Sequence, residues 1–203
     1  MITNNILEYI FSAPSNVTVM RALNERNLGI SGRETSRLTG LSLRTVQVCL
    51  SNLEKAGIIK RLAGKREHLF LIDRQNYLTK NLVKQIFETE RNYNEEVYKL
   101  IKSAIKKGSI SIILFGSTAR GDENISSDYD LCIVYKNNLK IIEEKVSVLR
   151  TSLFNLFNIT LAPFYIPASR FKKLGLQGKS PINNIIKEGK VISGKSIKEL
   201  LYG

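Results

Sequence analysis

A short polar stretch between two apolar runs constrains this chain more than any other feature. The apolar run 110–115 ends at a Gly-Ser pair, 116–117, and a second apolar run, 131–135, begins directly after Asp128 and Asp130. Alternate residues of an extended strand share a face, so the two carboxylates are predicted to point the same way. Carboxylates held together repel each other unless a cation lies between them, and oxygen ligands suit a hard ion such as Mg²⁺. The pattern therefore predicts a magnesium site.

The Gly-Ser pair adds a second element to this prediction. A glycine has no Cβ, so backbone N–H groups in such a turn can approach phosphate oxygens closely. Gly-Ser, ten intervening residues and then Asp-x-Asp, with Ala-Arg-Gly directly after the serine, resembles the signature of the DNA polymerase beta-type nucleotidyltransferases, specifically the minimal branch. The resemblance covers roughly residues 95–194. It implies nucleotide chemistry with Mg²⁺ as the cofactor and a nucleoside triphosphate as the ligand.

The resemblance also implies a role for each matching residue. Gly116 and Ser117 would hold the triphosphate, and Arg120 would position its phosphates. Asp128 and Asp130 would bind the metal and serve as the catalytic carboxylates. A neighbouring toxin or another protein is a candidate acceptor that the resemblance makes possible.

One expected carboxylate is missing from the sequence. Active members of the superfamily carry a third acid on the next strand, predicted here over 158–166, yet no Asp or Glu occurs between Glu144 and Glu188. Thr160 or Ala162 stands where that acid is expected. Slow or one-metal nucleotide transfer, nucleotide sensing and a relic pocket all remain open. The loop acids Asp122 and Glu123 could substitute, although a solvated loop charge is the simpler interpretation.

Charge and composition limit the other classes of function. The 203 residues include 31 Lys and Arg against 18 Asp and Glu, which gives a formal net charge of +13. Such an excess favours a polyanionic partner, nucleic acid first and an anionic membrane second. No apolar run has membrane-spanning length, and the N-terminal sequence does not resemble a secretory signal, so we expect a cytoplasmic protein. Cys49 and Cys132 stand singly in apolar patterns and are predicted to be reduced core residues.

The N-terminal third carries a second recognisable pattern. Ser31 and Glu34 predict a capping box that starts a short helix ending at Gly40, and Ser42 predicts the start of a second helix that ends at Gly57. A β-hairpin is predicted over 58–72. This order resembles the winged helix-turn-helix of bacterial and archaeal transcription regulators, across about residues 15–73.

That resemblance implies contacts to duplex DNA. The start of the second helix would enter the major groove, while the wing tip would touch the backbone or the minor groove. A winged helix used for protein contacts, or a chain that serves as a scaffold for a partner protein, remains an alternative. The candidate DNA-binding residues are Arg33, Ser42, Arg44, Thr45, Gln47, Lys65 and Arg66.

The whole chain is predicted to be an α+β protein of three parts. A winged helix-turn-helix domain occupies 1–74, a linker helix, in one piece or two, occupies 75–107, and an α/β domain with a small mixed sheet of nucleotidyltransferase fold occupies 108–203. The linker helix could also form the seam of a homodimer. From 151 onward the chain has eight basic residues and only two acidic ones, a tail that could line the nucleotide pocket, bind nucleic acid or simply be solvated.

Overall fold

A computed structural model describes residues 4–64, 67–124 and 127–203. The chain divides into two compact units, Met1–Arg91 and Asn92–Gly203. The boundary falls inside a helix, within the predicted linker 75–107. Each unit has a hydrophobic core of its own.

The N-terminal unit is a helical layer with a small antiparallel sheet. Its three strands lie in the order β1-β3-β2, with the predicted hairpin formed by β2 and β3. The short strand β1 pairs with β3 and was not anticipated from the sequence. The elements are α1 Ile6–Ile10, α2 Pro14–Asn24, β1 Ile30–Ser31, α3 Gly32–Thr39, α4 Leu43–Lys55, β2 Ile59–Ala63 and β3 His68–Ile72.

The predicted limits of α3 are confirmed, but its capping box is only half formed. The Ser31 hydroxyl accepts a hydrogen bond from the Glu34 backbone N–H at 3.2 Å, and Gly40 ends the helix in the left-handed conformation. The Glu34 carboxylate does not return to the Ser31 backbone. It instead accepts hydrogen bonds from Arg37, one turn further along, which lowers the pKa of Glu34.

Helix α4 packs as its spacing predicts. Val46, Leu50 and Leu53 recur on one face of the helix and are fully buried, together with Cys49. They join Leu23 of α2 and neighbouring residues in the core of this unit. Burial of the inner face leaves the opposite side of α4 to solvent, where the candidate DNA-reading residues stand.

The predicted linker helix forms in one piece, with a π-helical turn near its start. A π-helical turn, Thr79–Val83, leads directly into α5, Lys84–Ile105. Residues 88–96 of α5 are exposed on every side, and they are almost all polar or charged. Phe87 packs in the core of the first unit, whereas Ile101 packs in that of the second.

The C-terminal unit has a four-stranded mixed sheet, as predicted, and helices cover both of its faces. The strand order is β6-β5-β4-β7, with β5 and β6 parallel and the other pairs antiparallel. The final helix, α10, was not anticipated from the sequence. The elements are β4 Ser109–Leu114, α6 Gly116–Arg120, β5 Tyr129–Tyr135, α7 Leu139–Phe157, β6 Leu161–Pro167, α8 Ala168–Leu176, α9 Ile182–Glu188, β7 Lys190–Gly194 and α10 Ile197–Tyr202.

Alternation along β5 assigns each residue to one face of this sheet. Leu131 and Ile133 pack with α7 and the C-terminal half of α5, whereas Cys132 and Val134 pack with α8, α9 and α10. Asp130 has the parity of Cys132, so it stands on the α8–α10 face. Over the described residues, no helix combines the length and apolar character needed to cross a membrane.

Candidate functional site

The end of β4 and the start of β5 lie side by side at the candidate site. Leu114 pairs with Leu131, and the Phe115 N–H donates to the Asp130 carbonyl oxygen at 3.1 Å. The chain leaves β4 at Gly116, whose φ of 75° is readily adopted only by glycine. The predicted Gly-Ser turn is therefore the start of the short helix α6. Antiparallel pairing brings the Gly-Ser pair and the Asp-x-Asp pair to one edge of the sheet.

Gly116 and Asp130 are in direct contact. A Cβ on Gly116 would lie 2.2 Å from the Asp130 Oδ2, which is too close for two non-bonded atoms, and 3.1 Å from its Cγ, which is a tight contact. The carboxylate of Asp130 thus occupies the space that any other residue at 116 would fill. The structure thus brings Gly116 and Asp130 together.

The pKa of Asp130 depends on its burial and on two neighbouring charged residues. Partial burial raises the pKa of Asp130 most, and the charge of Asp128 raises it further. Arg120 opposes both effects by stabilising the charged form. The two aspartates therefore repel each other, and a bound cation would relieve this repulsion because it favours both charged forms.

Arg120 is held by two carboxylates. Its Nε donates to Asp122 at 3.1 Å, and its Nη1 donates to Glu188 at 2.9 Å. Both hydrogen bonds raise the pKa of Arg120, that to Asp122 most. No sequence signal indicated the contact with Glu188, which lies 68 residues away at the end of α9. A phosphate group that engaged Arg120 would have to compete with these two acids.

Ser117 follows Gly116 in the first turn of α6. Its carbonyl oxygen accepts hydrogen bonds from the N–H groups of Gly121 at 2.9 Å and Asp122 at 3.2 Å, which closes the C-terminal end of the short helix. This places Ser117 one residue from the contact between Gly116 and Asp130. The loop that continues toward Asp128 includes residues 125 and 126, which lie outside the described part of the chain.

The parallel pairing of β5 with β6 indicates which residue of β6 lies beside Asp130, where a third acid would be expected. Asp130 is in register with Ala162, and residues in register on parallel strands point to the same face. Thr160 precedes the strand, and its carbonyl oxygen accepts from the Tyr129 N–H at 2.8 Å. Within residues 4–64, 67–124 and 127–203, no group of three or more His, Cys, Asp or Glu side chains could hold a metal. Ala162 lies beside Asp130 in the sheet, and its methyl side chain has no atom that could bind a metal.

The residues present still fit one magnesium ion. Mg²⁺ is commonly held by one or two carboxylates, with phosphate oxygens and water completing six ligands. Asp128 and Asp130 provide two carboxylates in mutual repulsion, and the missing Cβ of Gly116 leaves Asp130 unobstructed. They could hold one ion that also binds triphosphate oxygens. A second ion would lack the protein carboxylate that Ala162 replaces.

The candidate DNA-reading residues gather at the start of α4. Arg44 and Gln47 are exposed there, and Arg33 is exposed on α3. Ser42 caps α4, because its hydroxyl accepts from the Thr45 N–H at 3.1 Å and shares a hydrogen bond with the Thr45 hydroxyl at 2.8 Å. These two hydroxyls are therefore engaged in the cap, which leaves the other three side chains freest to reach DNA.

An open groove of about 650 Å³ separates α4 from the hairpin. Arg33 and Gln47 line it, as do Arg61 and His68 from the strands. Arg61 was not among the predicted contacts, and it is held by an ion pair with Glu54 and by stacking over the Phe70 ring at 5.5 Å. Lys65 and Arg66, the predicted wing-tip contacts, lie outside the described residues.

Two family models match the chain. Residues 95–184 match a model described as a nucleotidyltransferase domain, and residues 19–60 match one described as a winged helix-turn-helix DNA-binding domain. No curated protein matches the chain.

Among solved structures, the chain is similar to a toxin-antitoxin complex with AMP-PNP, at 17% identity and a TM-score of 0.38, over 53% of this chain and 79% of that one. A mutant of the toxin-antitoxin pair MntA-HpeT gives 20% identity and a TM-score of 0.37, with the same coverage. TrmBL2, an archaeal chromatin protein, gives 18% identity and a TM-score of 0.28, over 91% of this chain and 74% of that one. At these scores the likenesses do not extend to activity or partners.

The two family matches coincide with the two compact units and with the motifs that define them. The match at 19–60 covers α3, the turn, α4 and the start of the hairpin, while the match at 95–184 covers the Gly-Ser and Asp-x-Asp site. The chain therefore combines an N-terminal winged helix-turn-helix with a C-terminal nucleotidyltransferase domain.

Proposed function

We propose that this protein binds duplex DNA through its winged helix and a magnesium–nucleoside triphosphate through its C-terminal domain, as a regulator of transcription that responds to nucleotide. The nucleotide part rests on one observation, the contact of the Asp130 carboxylate with the bare backbone of Gly116. A carboxylate pair beside a turn whose backbone N–H groups can approach phosphate is the arrangement that a metal–polyphosphate complex requires.

Each residue of the site has a distinct part in this proposal. Asp128 and Asp130 hold the ion, and the backbone at Gly116 and Ser117 lies against the phosphates. Arg120 exchanges at least one of its two carboxylate partners for a phosphate oxygen. The magnesium ion, when bound, neutralises phosphate charge and so allows the triphosphate to approach the two aspartates.

Nucleotide transfer is a second candidate function, favoured by the match of residues 95–184 to the nucleotidyltransferase family. Catalysis of this kind depends on electrostatic stabilisation of the transferring phosphoryl group. Ala162 removes one charge from that stabilisation, and a candidate base with it. The deficit bears on the chemical step more than on nucleotide binding, so the binding function is the better supported of the two.

Titration of the full chain with each of the four common nucleoside triphosphates tests the proposal. Equilibrium dialysis with and without Mg²⁺ should reveal saturable binding of at least one triphosphate that requires the metal. If all four fail to bind in the presence of Mg²⁺, the C-terminal domain has no nucleotide function of the kind proposed.

Arg44→Ala is expected to weaken DNA binding. Arg44 is exposed at the start of α4, where the helix would meet base edges or phosphates, and it forms no ion pair within the described residues. We expect a rise in Kd of about tenfold, which corresponds to about 1.4 kcal/mol. Fluorescence anisotropy on a labelled genomic duplex at fixed salt measures the change.

Lys55→Ala provides the matched control for that experiment. Lys55 is exposed at the opposite end of the same helix, and its loss changes the net charge by the same amount. It should change the Kd much less. Equal effects of the two substitutions, or no effect of Arg44→Ala and Gln47→Ala, would contradict docking by the start of α4.

A further inference from the structure

One face of the C-terminal unit is strongly basic, and neither the winged helix nor the nucleotide site accounts for it. Seven exposed cationic side chains project from α8, α9 and α10, which cover the Asp130 side of the sheet, and from the loops beside these helices. We call this surface the basic face. It consists of Arg170, Lys172, Lys173, Lys179, Lys187, Lys195 and Lys198.

The few acids on these elements do not neutralise the basic face. Glu188 is engaged by Arg120 at 2.9 Å. Glu199 is engaged by the cap of α10, where it accepts from the Ser196 hydroxyl at 2.6 Å and from the Ser196 N–H at 2.8 Å, and the hydroxyl bond most lowers its pKa. Among the described residues, none of the seven cations forms an ion pair with a carboxylate.

Helix α7, on the opposite face of the same unit, does not share this excess. Helix α7 carries Lys140, Lys145 and Arg150 against Glu143 and Glu144. The Lys145 Nζ donates to the Lys107 carbonyl oxygen at 3.0 Å, and the Arg150 Nε donates to that of Leu161 at 3.1 Å. On α7 the charges of both signs are thus nearly balanced, and two of its three cations support the fold. An ordinary solvated surface has such interspersed charges, and the basic face does not.

Helix α8 shows how the basic face is built. Phe171 is fully buried under the helix, so Arg170, Lys172 and Lys173 lie toward its outer side. Nothing in the packing of α8 requires a positive charge at these positions. Their long side chains are free to follow an extended row of phosphates.

We propose that the basic face is a second DNA-binding surface, which contacts the backbone phosphates of duplex DNA without reading its bases. Seven unpaired cations exceed what one triphosphate can neutralise, so the surface fits a polymer of phosphates. Flexible lysines that lack fixed partners suit contacts to phosphate independent of sequence. Because the winged helix is on the same chain, each surface raises the effective concentration of DNA at the other. The choice of duplex DNA rests on the proposed function of the winged helix.

The test uses the full chain with Arg44→Ala, which reduces the contribution of the winged helix. To this background we add the triple substitution Arg170→Ala, Lys172→Ala and Lys173→Ala. The matched control is the triple substitution Lys106→Ala, Lys136→Ala and Lys140→Ala, which removes the same charge from exposed positions outside the basic face. The probe is a 30-bp duplex of arbitrary sequence, titrated at several salt concentrations.

Each phosphate contact contributes about 0.9 to the slope of log Kobs against log salt. We therefore expect the α8 triple to reduce this slope by about 2 to 3 and to lower affinity at least about tenfold near physiological salt. The control triple should reduce the slope by less than about 1. Equal losses in both triples, or no loss in the α8 triple, would overturn the proposal.

Two further comparisons distinguish this proposal from docking by the winged helix and from membrane binding. If Arg44→Ala alone has no effect but the α8 triple still weakens binding, the winged-helix docking fails and the basic face stands. Vesicles that contain phosphatidylserine test the membrane alternative. Vesicle binding that the α8 triple removes, without any loss of duplex binding, would assign the surface to lipid and overturn the assignment to DNA.

Discussion

Asp130→Asn is expected to abolish magnesium-dependent nucleotide binding. The substitution keeps the size of the side chain against Gly116 but removes the charge that attracts the ion. Loss of a residue that merely supports a metal ligand typically costs about 10–100-fold in affinity, so loss of a direct ligand should cost at least about a hundredfold. At ten times its Kd, the ligand stabilises the wild-type protein by about 1.4 kcal/mol, and thermal unfolding should show that this shift is absent from the variant.

The raised pKa of Asp130 predicts that the Asp130→Asn substitution does not destabilise the metal-free protein. Because burial and Asp128 raise the pKa in the folded state, the folded protein binds a proton more readily than the unfolded chain does. Without metal, this carboxylate therefore lowers stability as pH rises from its unfolded pKa through its folded pKa. The neutral amide of the Asp130→Asn variant would lack that contribution. The metal-free variant should be at least as stable as the wild type at neutral pH, so a loss of binding cannot be attributed to misfolding.

Glu123→Gln is the matched control for this experiment. Glu123 is an exposed acid in the loop between Arg120 and Asp128, and its substitution removes the same charge. It should leave the magnesium-dependent shift close to that of the wild type. A loss of binding as large as that of Asp130→Asn would instead identify Glu123 as a loop acid that substitutes for the missing third carboxylate.

Local signals in the sequence were sufficient to predict most of the elements. Ser31 with Gly40, and Ser42 with the glycine after α4, define two helices because capping depends on residues within one turn. The Asp-x-Asp spacing also predicted that both carboxylates lie beside the Gly-Ser pair, since β4 and β5 are joined only by the short helix α6 and one loop and pair directly. Elements held together by nearby residues are therefore those that the sequence could predict.

Features that depend on distant residues could not be predicted in the same way. The pairing of Glu188 with Arg120 joins two positions that carry no common pattern, and β1 is a strand only because β3 lies beside it. Helix α10 had a local signal, the capping box of Ser196 and Glu199, that was not recognised.

The sequence left Thr160 and Ala162 as equal candidates for the position of the missing acid. The register of β6 distinguishes them, because only Ala162 is paired with Asp130 inside the strand.

Ala162→Asp is expected to increase magnesium affinity and to create or raise nucleotide transfer. Neighbouring strands lie about 4.8 Å apart, so a carboxylate at 162 would face the same ion as Asp130. Its attraction for the ion should be worth at least about 1.4 kcal/mol, which is a tenfold gain in affinity. Transfer of label from radioactive ATP to protein or nucleic acid in a lysate measures the chemical step, and a magnesium titration measures the affinity.

Thr160→Asp is the comparison that makes this result specific. Thr160 is exposed and precedes β6, and Ala162 rather than Thr160 is in register with Asp130, so the gain from a carboxylate at 160 should be smaller. In the absence of metal, a third carboxylate at 162 should raise the pKa of Asp130 further and destabilise the protein at neutral pH, an effect that Mg²⁺ reverses.

A variant that gains metal affinity but no transfer would mean that the domain binds nucleotide without the residues that transfer requires. If neither substitution increases magnesium affinity, Asp128 and Asp130 do not form the metal site, because an added carboxylate beside a bound ion must attract it.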